Sequence, residues 1–541
     1  MSYKIALDLG TSGERAQALD ERGEIISTAI TLRHPLPGAN IMDQLHFTIG
    51  NEWPRGLEVS GSLLIHTINK LLGALNINLG RVDSMAVCGN PIQLSLFEGI
   101  EIRDLAYAGK SLLKKLKVKS PNRDAKVLDA EELNLKVNPK AEVIIPPAVK
   151  HEVGADALAM IMKSRIMDEK GASLVTDYGT NAEMSLYADG EFYTGSAAAG
   201  PAIEGQHIKL GMLASPGAIS DLDENWRNYI LDENLEGLKG DVVDPSTGKI
   251  LEKGSMRSKG ITGTGVVATI AMGMENGLID TPKILTDDQR LHLQDGIYLL
   301  EEDLTEALKA TSAISAGHKT LMEEADIDIR DLNSVYMAGA LGTYVDPLKA
   351  QKVGLIPPKL DKVVQIGNTS LAMAVDLVRD REVLDEMQEF ANSLRSKHIM
   401  FANSETFKNT FINELGLRVE GMPFELYNKT LQRFGLQQVP LIKKPRKIIR
   451  AVKRDIPVLG KKGLKIVDHI GLKLVGIFKD CTACGACAKE CPEGALTVKK
   501  GSPNTVVILS ELCNGTACKR CEWICSEKTF RFEDLIMKEL S

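Results

Sequence analysis

The sequence predicts an α/β protein with two related lobes, followed by a small α+β subdomain and a cysteine-rich α+β domain. Three observations predict this arrangement. Short apolar strands alternate with helical stretches over residues 1–396. A strand–turn–strand unit recurs at an offset of 169 residues, from Asp8 to Asp177. Eight of the nine cysteines fall between Cys481 and Cys525.

Size and composition exclude several classes of protein. The 541 residues are 44% apolar and 25% charged, as in ordinary globular domains. A net charge of −7, with no alternation of basic and aromatic residues, argues against a nucleic-acid partner. The N-terminus lacks the apolar core of a secretory signal, and no apolar run reaches the ~18 residues of a spanning helix. We therefore expect a cytoplasmic protein without a membrane partner.

The repeated unit is the first candidate site. In each copy a strand ends in Asp and a Gly-Thr turn, and a second strand and a hairpin turn follow. Such a turn lets backbone N–H groups approach a phosphate, its hydroxyls add donors, and its Asp can hold Mg²⁺ through bound water. We expect the two turns to contact the phosphates of a nucleotide. The residues are Asp8, Gly10, Thr11 and Ser12 in the first copy, and Asp177, Gly179, Thr180 and Asn181 in the second.

A third Gly-containing turn follows the strand Val335–Met337. Its small residues Gly339 and Gly342 suit the close approach of a flat base and ribose. With the repeat, this turn predicts a first lobe over residues 1–150 and a second over 151–396.

Two further segments precede the cysteines. Residues 397–439 are rich in Phe and predict a small packed subdomain, with Ser404 as a helix cap. Residues 440–472 are strongly basic and predict a solvated linker, the alternative being a docking strip for an acidic partner.

The cysteines have the spacing of a bacterial two-cluster ferredoxin over residues 473–541. In that pattern three thiolates of each run bind one [4Fe–4S] cluster, and the fourth crosses to the other cluster. The crossing pairs Cys525 with the first run and Cys491 with the second. Structural zinc is the alternative that this order of eight cysteines disfavours, and the isolated Cys88 is expected to be buried and apolar. The predicted sets are Cys481, Cys484, Cys487 and Cys525, and Cys513, Cys518, Cys521 and Cys491.

The three turns in this order resemble the acetate and sugar kinase/Hsp70/actin superfamily. Residues 1–380 resemble the reductive activators of corrinoid proteins more closely, because they also contain motifs similar to those of that family. These motifs are Val153–Asp156, Ala198–Gly205 and Ile366–Ala372. The position of the two-cluster ferredoxin at the C-terminus makes the chain most similar to the family members that serve the methylamine methyltransferases of methanogenic archaea. The resemblance implies an actin/Hsp70-like ATPase core and an enzyme that reduces Co(II) corrinoid to Co(I). It implies ATP, Mg²⁺ and two [4Fe–4S] clusters as cofactors, a corrinoid protein as partner and a low-potential electron donor.

Two other functions stay open at this point. One is a different ATP-coupled electron injector, similar to the activators of 2-hydroxyacyl-CoA dehydratases, which bind one cluster across a dimer interface. The other is a non-catalytic electron carrier that binds no nucleotide. The iron content per chain distinguishes the single-cluster injector from a two-cluster activator. Substitution of Asp8 or Asp177 would leave electron transfer unchanged in a carrier that binds no nucleotide.

Overall fold

The structure is a computed structural model that describes residues 2–38, 40–50, 53–107, 110–148, 153–205, 207–394, 396–491, 493–515 and 518–538. Its strands, in chain order, are β1 (Tyr3–Leu9), β2 (Glu14–Asp20), β3 (Ile25–Thr31), β4 (Val82–Gly89), β5 (Lys126–Asp129), β6 (Glu142–Ile145), β7 (Ser173–Tyr178), β8 (Asn181–Ala188), β9 (Glu191–Ala198), β10 (Ala218–Leu222), β11 (Arg227–Leu231), β12 (Gly237–Val243), β13 (Ile250–Glu252), β14 (Gly260–Ile261), β15 (Ile279–Asp280), β16 (Lys283–Ile284), β17 (Arg290–His292), β18 (Tyr298–Leu300), β19 (Ser334–Ala338), β20 (Lys362–Gly367), β21 (Ser396–His398), β22 (Lys447–Arg450), β23 (Leu464–Val467), β24 (Lys473–Ile477), β25 (Leu496–Lys499), β26 (Thr505–Leu509) and β27 (Ile536–Lys538).

The α-helices lie between groups of these strands, as in the predicted α/β class. They are α1 (Ile41–Gly50), α2 (Arg55–Ala74), α3 (Pro91–Glu98), α4 (Arg103–Ala106), α5 (Lys110–Lys115), α6 (Ala155–Ser164), α7 (Gly263–Glu275), α8 (Glu301–Glu324), α9 (Gly339–Tyr344), α10 (Pro347–Val353), α11 (Thr369–Arg379), α12 (Glu382–Ser393), α13 (Glu405–Arg418), α14 (Phe424–Arg433), α15 (Ala486–Glu490) and α16 (Arg520–Trp523). Among the described residues, no helix combines the length and the apolar character that crossing a membrane requires.

The chain forms two compact units. The first unit contains Met1–Asp156, Ser370–Asn392 and Leu459–Ser541, and the second contains Ala157–Thr369 and Ser393–Val458. This division differs from the predicted domains at α11 and α12, which lie almost wholly in the first unit. The predicted domain limits themselves remain predictions.

Each unit is built on a seven-stranded sheet, and the two sheets share their central order. The order is β23-β3-β2-β1-β4-β6-β5 in the first unit and β21-β9-β8-β7-β19-β20-β22 in the second. In both, an antiparallel three-stranded meander (β1–β3 or β7–β9) continues into two parallel strands. The repeated turn therefore lies at the same place in each sheet, between the first and second strands of the meander.

The two segments before the cysteines are more closely integrated than a separate subdomain and a solvated linker would be. Phe401, Tyr427 and Leu431 are buried in the same apolar core as α8. In the basic stretch, β22 adds a parallel strand to the sheet of the second unit, and β23 does so in the first unit. Apolar residues next to the charges, such as Ile448 and Ile466, make these short strands possible.

The cysteine-rich domain lies in the first unit and has a four-stranded antiparallel sheet in the order β25-β26-β24-β27. The short helices α15 and α16 each carry one cysteine, Cys487 and Cys521. Two-residue spacing places Val506 and Ile508 of β26 on one face of this sheet, and both are buried. The fold is the ferredoxin-like arrangement that the cysteine spacing predicts.

Candidate nucleotide and iron–sulfur sites

The first candidate phosphate turn joins β1 to β2 in the first unit. Asp8, near the end of β1, is 4% exposed, and its Oδ2 lies 3.3 Å from Arg15 Nη1. Gly10 follows in a turn too tight for a side chain, because a Cβ there would lie 2.7 Å from the carbonyl oxygen of Gly13. Thr11 and Ser12 remain partly exposed. The structure thus places the other three predicted residues of this turn close to the buried carboxylate of Asp8.

The N-terminus of α3 lies against the same turn. Asn90 caps this helix, because its Oδ1 accepts hydrogen bonds from the N–H groups of Ile92 (3.1 Å) and Gln93 (2.9 Å). Its Nδ2 lies 3.3 Å from Thr11 Oγ1, to which it donates. The sequence analysis missed Asn90, although Gly89-Asn90-Pro91 at the end of a strand is a recognisable helix start.

A chain of buried polar side chains supports the turn from behind. The N–H of Leu36 donates to His34 Nδ1 (3.2 Å), so a neutral His34 ring carries its proton on Nε2 and donates it to Gln93 Oε1 (3.0 Å). Gln93 Nε2 donates to Gln44 Oε1 (2.6 Å), and Gln44 Nε2 donates to the Thr11 carbonyl (3.0 Å). Each nitrogen atom in this chain therefore donates to an acceptor or accepts a hydrogen bond, which holds the backbone at Thr11.

Glu14 lies at the start of β2 and is fully buried. Burial raises its pKa to about 8, against opposing hydrogen bonds from Thr31 and from the backbone. Thr31 Oγ1 lies 2.8 Å from Glu14 Oε2 and 2.9 Å from the Arg33 carbonyl, but a hydroxyl has one proton for two acceptors. A protonated Glu14 resolves this conflict, because it donates to the hydroxyl and leaves the hydroxyl proton for Arg33. Burial likewise lowers the pKa of the neighbouring His34 to about 4, so burial favours the neutral form of both groups.

The second candidate phosphate turn joins β7 to β8 in the second unit. Thr180 is buried, and its hydroxyl donates to Glu204 Oε2. The Thr180 carbonyl accepts from the N–H of Gly200 (2.9 Å). A Cβ on Gly179 would lie 3.3 Å from the carbonyl oxygen of Asn181. Asp177, Gly179, Thr180 and Asn181 thus lie at a compact turn of two residues between β7 and β8, which is shorter than the four-residue turn between β1 and β2.

The third turn lies directly beside the second. Gly339 has φ +75°, and a Cβ there would lie 2.2 Å from Asp177 Oδ1. Gly342, one turn further along α9, has slightly more space, with the Met337 carbonyl carbon 3.0 Å from its potential Cβ. The structure therefore brings the predicted adenosine turn and the predicted Mg²⁺-binding carboxylate together. Their roles remain predictions from the sequence.

The eight clustered cysteines line two cavities. The first three thiols of the first run share one cavity with the last thiol of the second run. The remaining four share the other. This is the grouping that the crossing rule gives. The sets are Cys481, Cys484, Cys487 and Cys525, and Cys491, Cys513, Cys518 and Cys521.

The donor set fits a polynuclear iron–sulfur group. In the part of the chain that the structure describes, no three His, Cys, Asp or Glu side chains are arranged around a single metal ion. The thiols instead surround a space lined by apolar side chains such as Phe478 and Phe532. Burial raises the pKa of Cys513 and of Cys521 to about 12. Thiolates at these positions therefore need a bound cationic partner, as metal ligation supplies.

Three family models match the chain. The model described as the C-terminal domain of RACo, the ASKHA domain, matches residues 171–428, and the RACo middle region matches residues 3–169. A 4Fe-4S binding domain matches residues 475–497, which contain the first cysteine run. These matches confirm the predicted kinase-like core and the iron–sulfur domain.

Individual proteins give the same result. A solved structure described as a reductive activator for corrinoid, iron-sulfur protein has a TM-score of 0.61 and 24% identity, covering 76% of this chain and 65% of its own, which shows the shared fold. The corrinoid activation enzyme RamQ of Eubacterium limosum is 26% identical over 404 residues, 68% of this chain and 62% of that protein. The "[Co(II) methylated amine-specific corrinoid protein] reductase" of Methanosarcina barkeri is 45% identical over 522 residues, 95% of this chain and 96% of that protein. Identity at this level, sustained through both the kinase-like core and the cysteine-rich domain, shows that the chain belongs to the RACo family of reductive activators.

Proposed function

We propose that this chain uses ATP to drive the one-electron reduction of a Co(II) corrinoid to Co(I) on a methylated-amine-specific corrinoid protein. The observation that carries the proposal is the combination, in one RACo-family chain, of two phosphate-type turns with two four-cysteine cavities. The Methanosarcina barkeri relative, 45% identical, has this substrate in its name. The chain is thus an enzyme whose substrate is the cobalt of another protein.

The energetics explain why such an enzyme needs a nucleotide. Reduction of Co(II) to Co(I) requires an electron of very low potential. Each 30 mV by which a donor falls short costs about 0.7 kcal/mol for one electron, half the two-electron value. A shortfall of about 300 mV therefore costs about 7 kcal/mol. A donor alone would leave most of the cobalt oxidised, whereas ATP hydrolysis offers free energy of this order.

The nucleotide site that we propose uses the three Gly-containing turns. Asp8 and Asp177 would hold Mg²⁺ through its water shell, because Mg²⁺ prefers oxygen ligands and keeps several waters. The other residues of the two repeated turns would bind phosphates, and Gly339 and Gly342 would approach the adenosine. The steric limit at Gly339 supports this assignment, since only a glycine lets this turn lie against Asp177.

The two cysteine sets would each hold one [4Fe–4S] cluster, with the members given above. When bound, such clusters supply one-electron carriers whose potentials depend on hydrogen bonds and exposure. The chain's own contribution is to exclude water. Phe478, Val506 and Phe530 line the first cavity, and Leu496, Ile508 and Phe532 line the second.

Four thiols at each of two cavities in one chain disfavour the alternative activator type, which holds a single cluster across a dimer interface. Thiols that remain available for iron also suit a reducing compartment. We therefore propose that the enzyme works in the cytoplasm. Its partners there would be a corrinoid protein of a methylamine methyltransferase system and a low-potential electron donor.

The test is an anaerobic assay with iron-loaded protein, a Co(II) corrinoid protein from a methylamine system and Ti(III) citrate as reductant. The Co(I) absorption band is followed with and without ATP and Mg²⁺. We expect its growth only with ATP, and its loss in Asp8→Asn and in Asp177→Asn. Asp189→Asn, in the exposed hairpin turn after β8, is the matched control and should retain activity.

Equal rates with and without ATP would contradict the proposal and favour an electron carrier that uses no nucleotide. ATP hydrolysis with intact clusters but no Co(I) on any methylamine corrinoid protein would point to another electron acceptor.

A further inference from the structure

Within the first unit, one short stretch of chain contacts both the first phosphate turn and the loop of the second cysteine cavity. We name it the bridging segment, and it consists of residues 34–38 and helix α1. The segment ties Thr11 to Cys513, which are far apart in sequence. Neither the predicted motifs nor the proposed function assigns it a role.

At one end, the bridging segment holds the phosphate turn through Gln44. This side chain is fully buried, and its Nε2 donates to the Thr11 carbonyl oxygen at 3.0 Å. Its Oε1 accepts from Gln93, so the amide cannot rotate away without leaving buried groups unpaired. A displacement of the turn that carries Thr11 therefore displaces Gln44, and with it α1.

At the other end, the segment makes two contacts with the second cavity. The N–H of Gly38 donates to the carbonyl oxygen of Cys513 at 2.7 Å. The ring of Phe47, one helical turn after Gln44, packs edge to face on Phe532, with centroids 6.0 Å apart and planes at 82°. Phe532 lines the cavity of Cys491, Cys513, Cys518 and Cys521.

Between the two ends there is little free space. Gly38 has φ +128°, and a Cβ there would lie 2.6 Å from the Cβ of Asp43 and 2.8 Å from the N atom of Gln44. The backbone that bonds Cys513 thus packs directly on the first turn of α1. Close-packed elements of this kind move together rather than deform.

We propose that Gln44 and Phe47 are positioning residues that couple nucleotide binding at the first phosphate turn to the iron–sulfur group of the second cavity. Bound nucleotide would move α1 and thereby change the packing and hydrogen bonding around Cys513, on which the reduction potential depends. The inference rests on the proposed function, because it takes the nucleotide and the cluster from it.

Thermodynamic linkage relates the shift in reduction potential to the change in nucleotide affinity. If nucleotide shifts the potential, then reduction must change nucleotide affinity by the same factor. A tenfold ratio of Kd values between the oxidised and the reduced protein equals a shift of 59 mV for one electron. The ratio and the shift can be measured independently on one preparation.

The experiment uses the full-length, iron-loaded chain and the non-hydrolysable analogue AMP-PNP with Mg²⁺. Its Kd is measured for the dithionite-reduced and the oxidised protein, and the potential of each cluster is titrated by EPR with and without AMP-PNP. Hydrogen exchange at the amides of His34, Leu36 and Gly38, and of residues 513–515, gives a readout that needs no electron transfer. We expect a Kd ratio of tenfold or more in the wild type, and altered exchange in both stretches.

Two variants each break one end of the link. Gln44→Met removes the bond to Thr11 while keeping an unbranched side chain, and Phe47→Leu removes the aromatic edge while keeping an apolar one. Each should bring the Kd ratio close to one, with iron content unchanged. Thr48→Val is the matched control, because it removes the buried hydrogen bonds of the Thr48 hydroxyl with Ser60 (2.8 Å) and with the Gln44 carbonyl oxygen (2.9 Å) but keeps the side chains of Gln44 and Phe47. It should lower stability but retain the wild-type ratio.

A wild-type Kd ratio of one would overturn the inference. So would a wild-type ratio in both Gln44→Met and Phe47→Leu. Either result, together with ATP-dependent Co(I) formation, would leave the proposed function intact. Absence of nucleotide binding in the wild type would instead contradict the proposed function itself.

Discussion

Glu14→Gln should stabilise the protein, and by an amount that depends on pH. In the unfolded chain this carboxyl ionises near its ordinary pKa of 4.5, whereas burial in the folded chain raises the pKa to about 8. Between pH 4.5 and pH 8 the folded protein retains a proton on Glu14 that the unfolded chain releases. The contribution of Glu14 to stability is therefore present below about pH 4.5 and is lost progressively as pH rises through 8.

The size of the effect follows from the pKa difference. Each unit corresponds to about 1.4 kcal/mol, so the wild type should lose a few kcal/mol between pH 5 and pH 8 that Glu14→Gln retains. A glutamine amide can donate to Thr31 Oγ1 as the protonated carboxyl does, so the variant keeps this hydrogen bond. His34 titrates in the opposite sense at low pH, where its lowered pKa favours the unfolded state, but it is common to both proteins and cancels in the comparison.

The assay is chemical denaturation of both proteins at unit steps from pH 5 to pH 9, with the exposed Glu21→Gln as the control. The free energy of unfolding of Glu14→Gln relative to wild type should rise up to about pH 8 and then reach a plateau. Glu21→Gln should show no such trend. Infrared difference spectra should show a protonated carboxyl band at pH 7 that Glu14→Gln lacks. A difference between the two proteins that stays constant over the whole range would refute the reasoning, because Glu14 would then not change its ionisation within it.

Three further predictions concern other parts of the chain. Gly339→Ala should abolish AMP-PNP binding in calorimetry without loss of iron, because its Cβ would meet Asp177. Gly190→Ala, which has a similar positive φ but open space around its Cβ, should bind normally. Glu414→Gln should lower the free energy of unfolding by about 3–5 kcal/mol, because Lys319 would lose its buried partner. Glu414→Asp should lower the free energy of unfolding by less than Glu414→Gln does. Equal decreases in the two variants would show that the lost charge is not the cause of the destabilisation. Cys525→Ser should remove the same EPR signal as Cys484→Ser, and Cys491→Ser the signal that Cys518→Ser removes; the opposite pairing would contradict the crossing.

Part of the site could be predicted because its signals are local. The turns at Gly10 and Gly179 each place their candidate residues within five positions, so spacing alone identifies them. The repeat also predicts related lobes, and the two sheets do share their central strand order. The RACo family and the iron–sulfur domain were likewise predicted, and the comparisons confirm both.

Other features could not be predicted, because they depend on contacts between distant residues. Gln44, Gln93 and His34 are ordinary polar residues in sequence, and only packing makes them a continuous chain behind Thr11. The basic stretch after residue 440 has the composition of a linker, yet β22 and β23 pair with strands that lie far from them in sequence. A run of charged residues indicates solvent exposure. Whether a strand in that run joins a sheet depends on which sheet edge has unpaired backbone groups, and the run itself does not show this.

The sequence by itself determined the chemistry available to this protein: glycines where backbone must approach a ligand, carboxylates beside them, and eight thiols in the order that a ferredoxin needs. Only the tertiary structure decided how these parts are joined. It set Gly339 against Asp177 and packed α1 between Thr11 and the loop of Cys513. The physical reason is that backbone conformation follows from neighbouring residues, while close packing and the pairing of buried polar groups are satisfied only in the folded whole.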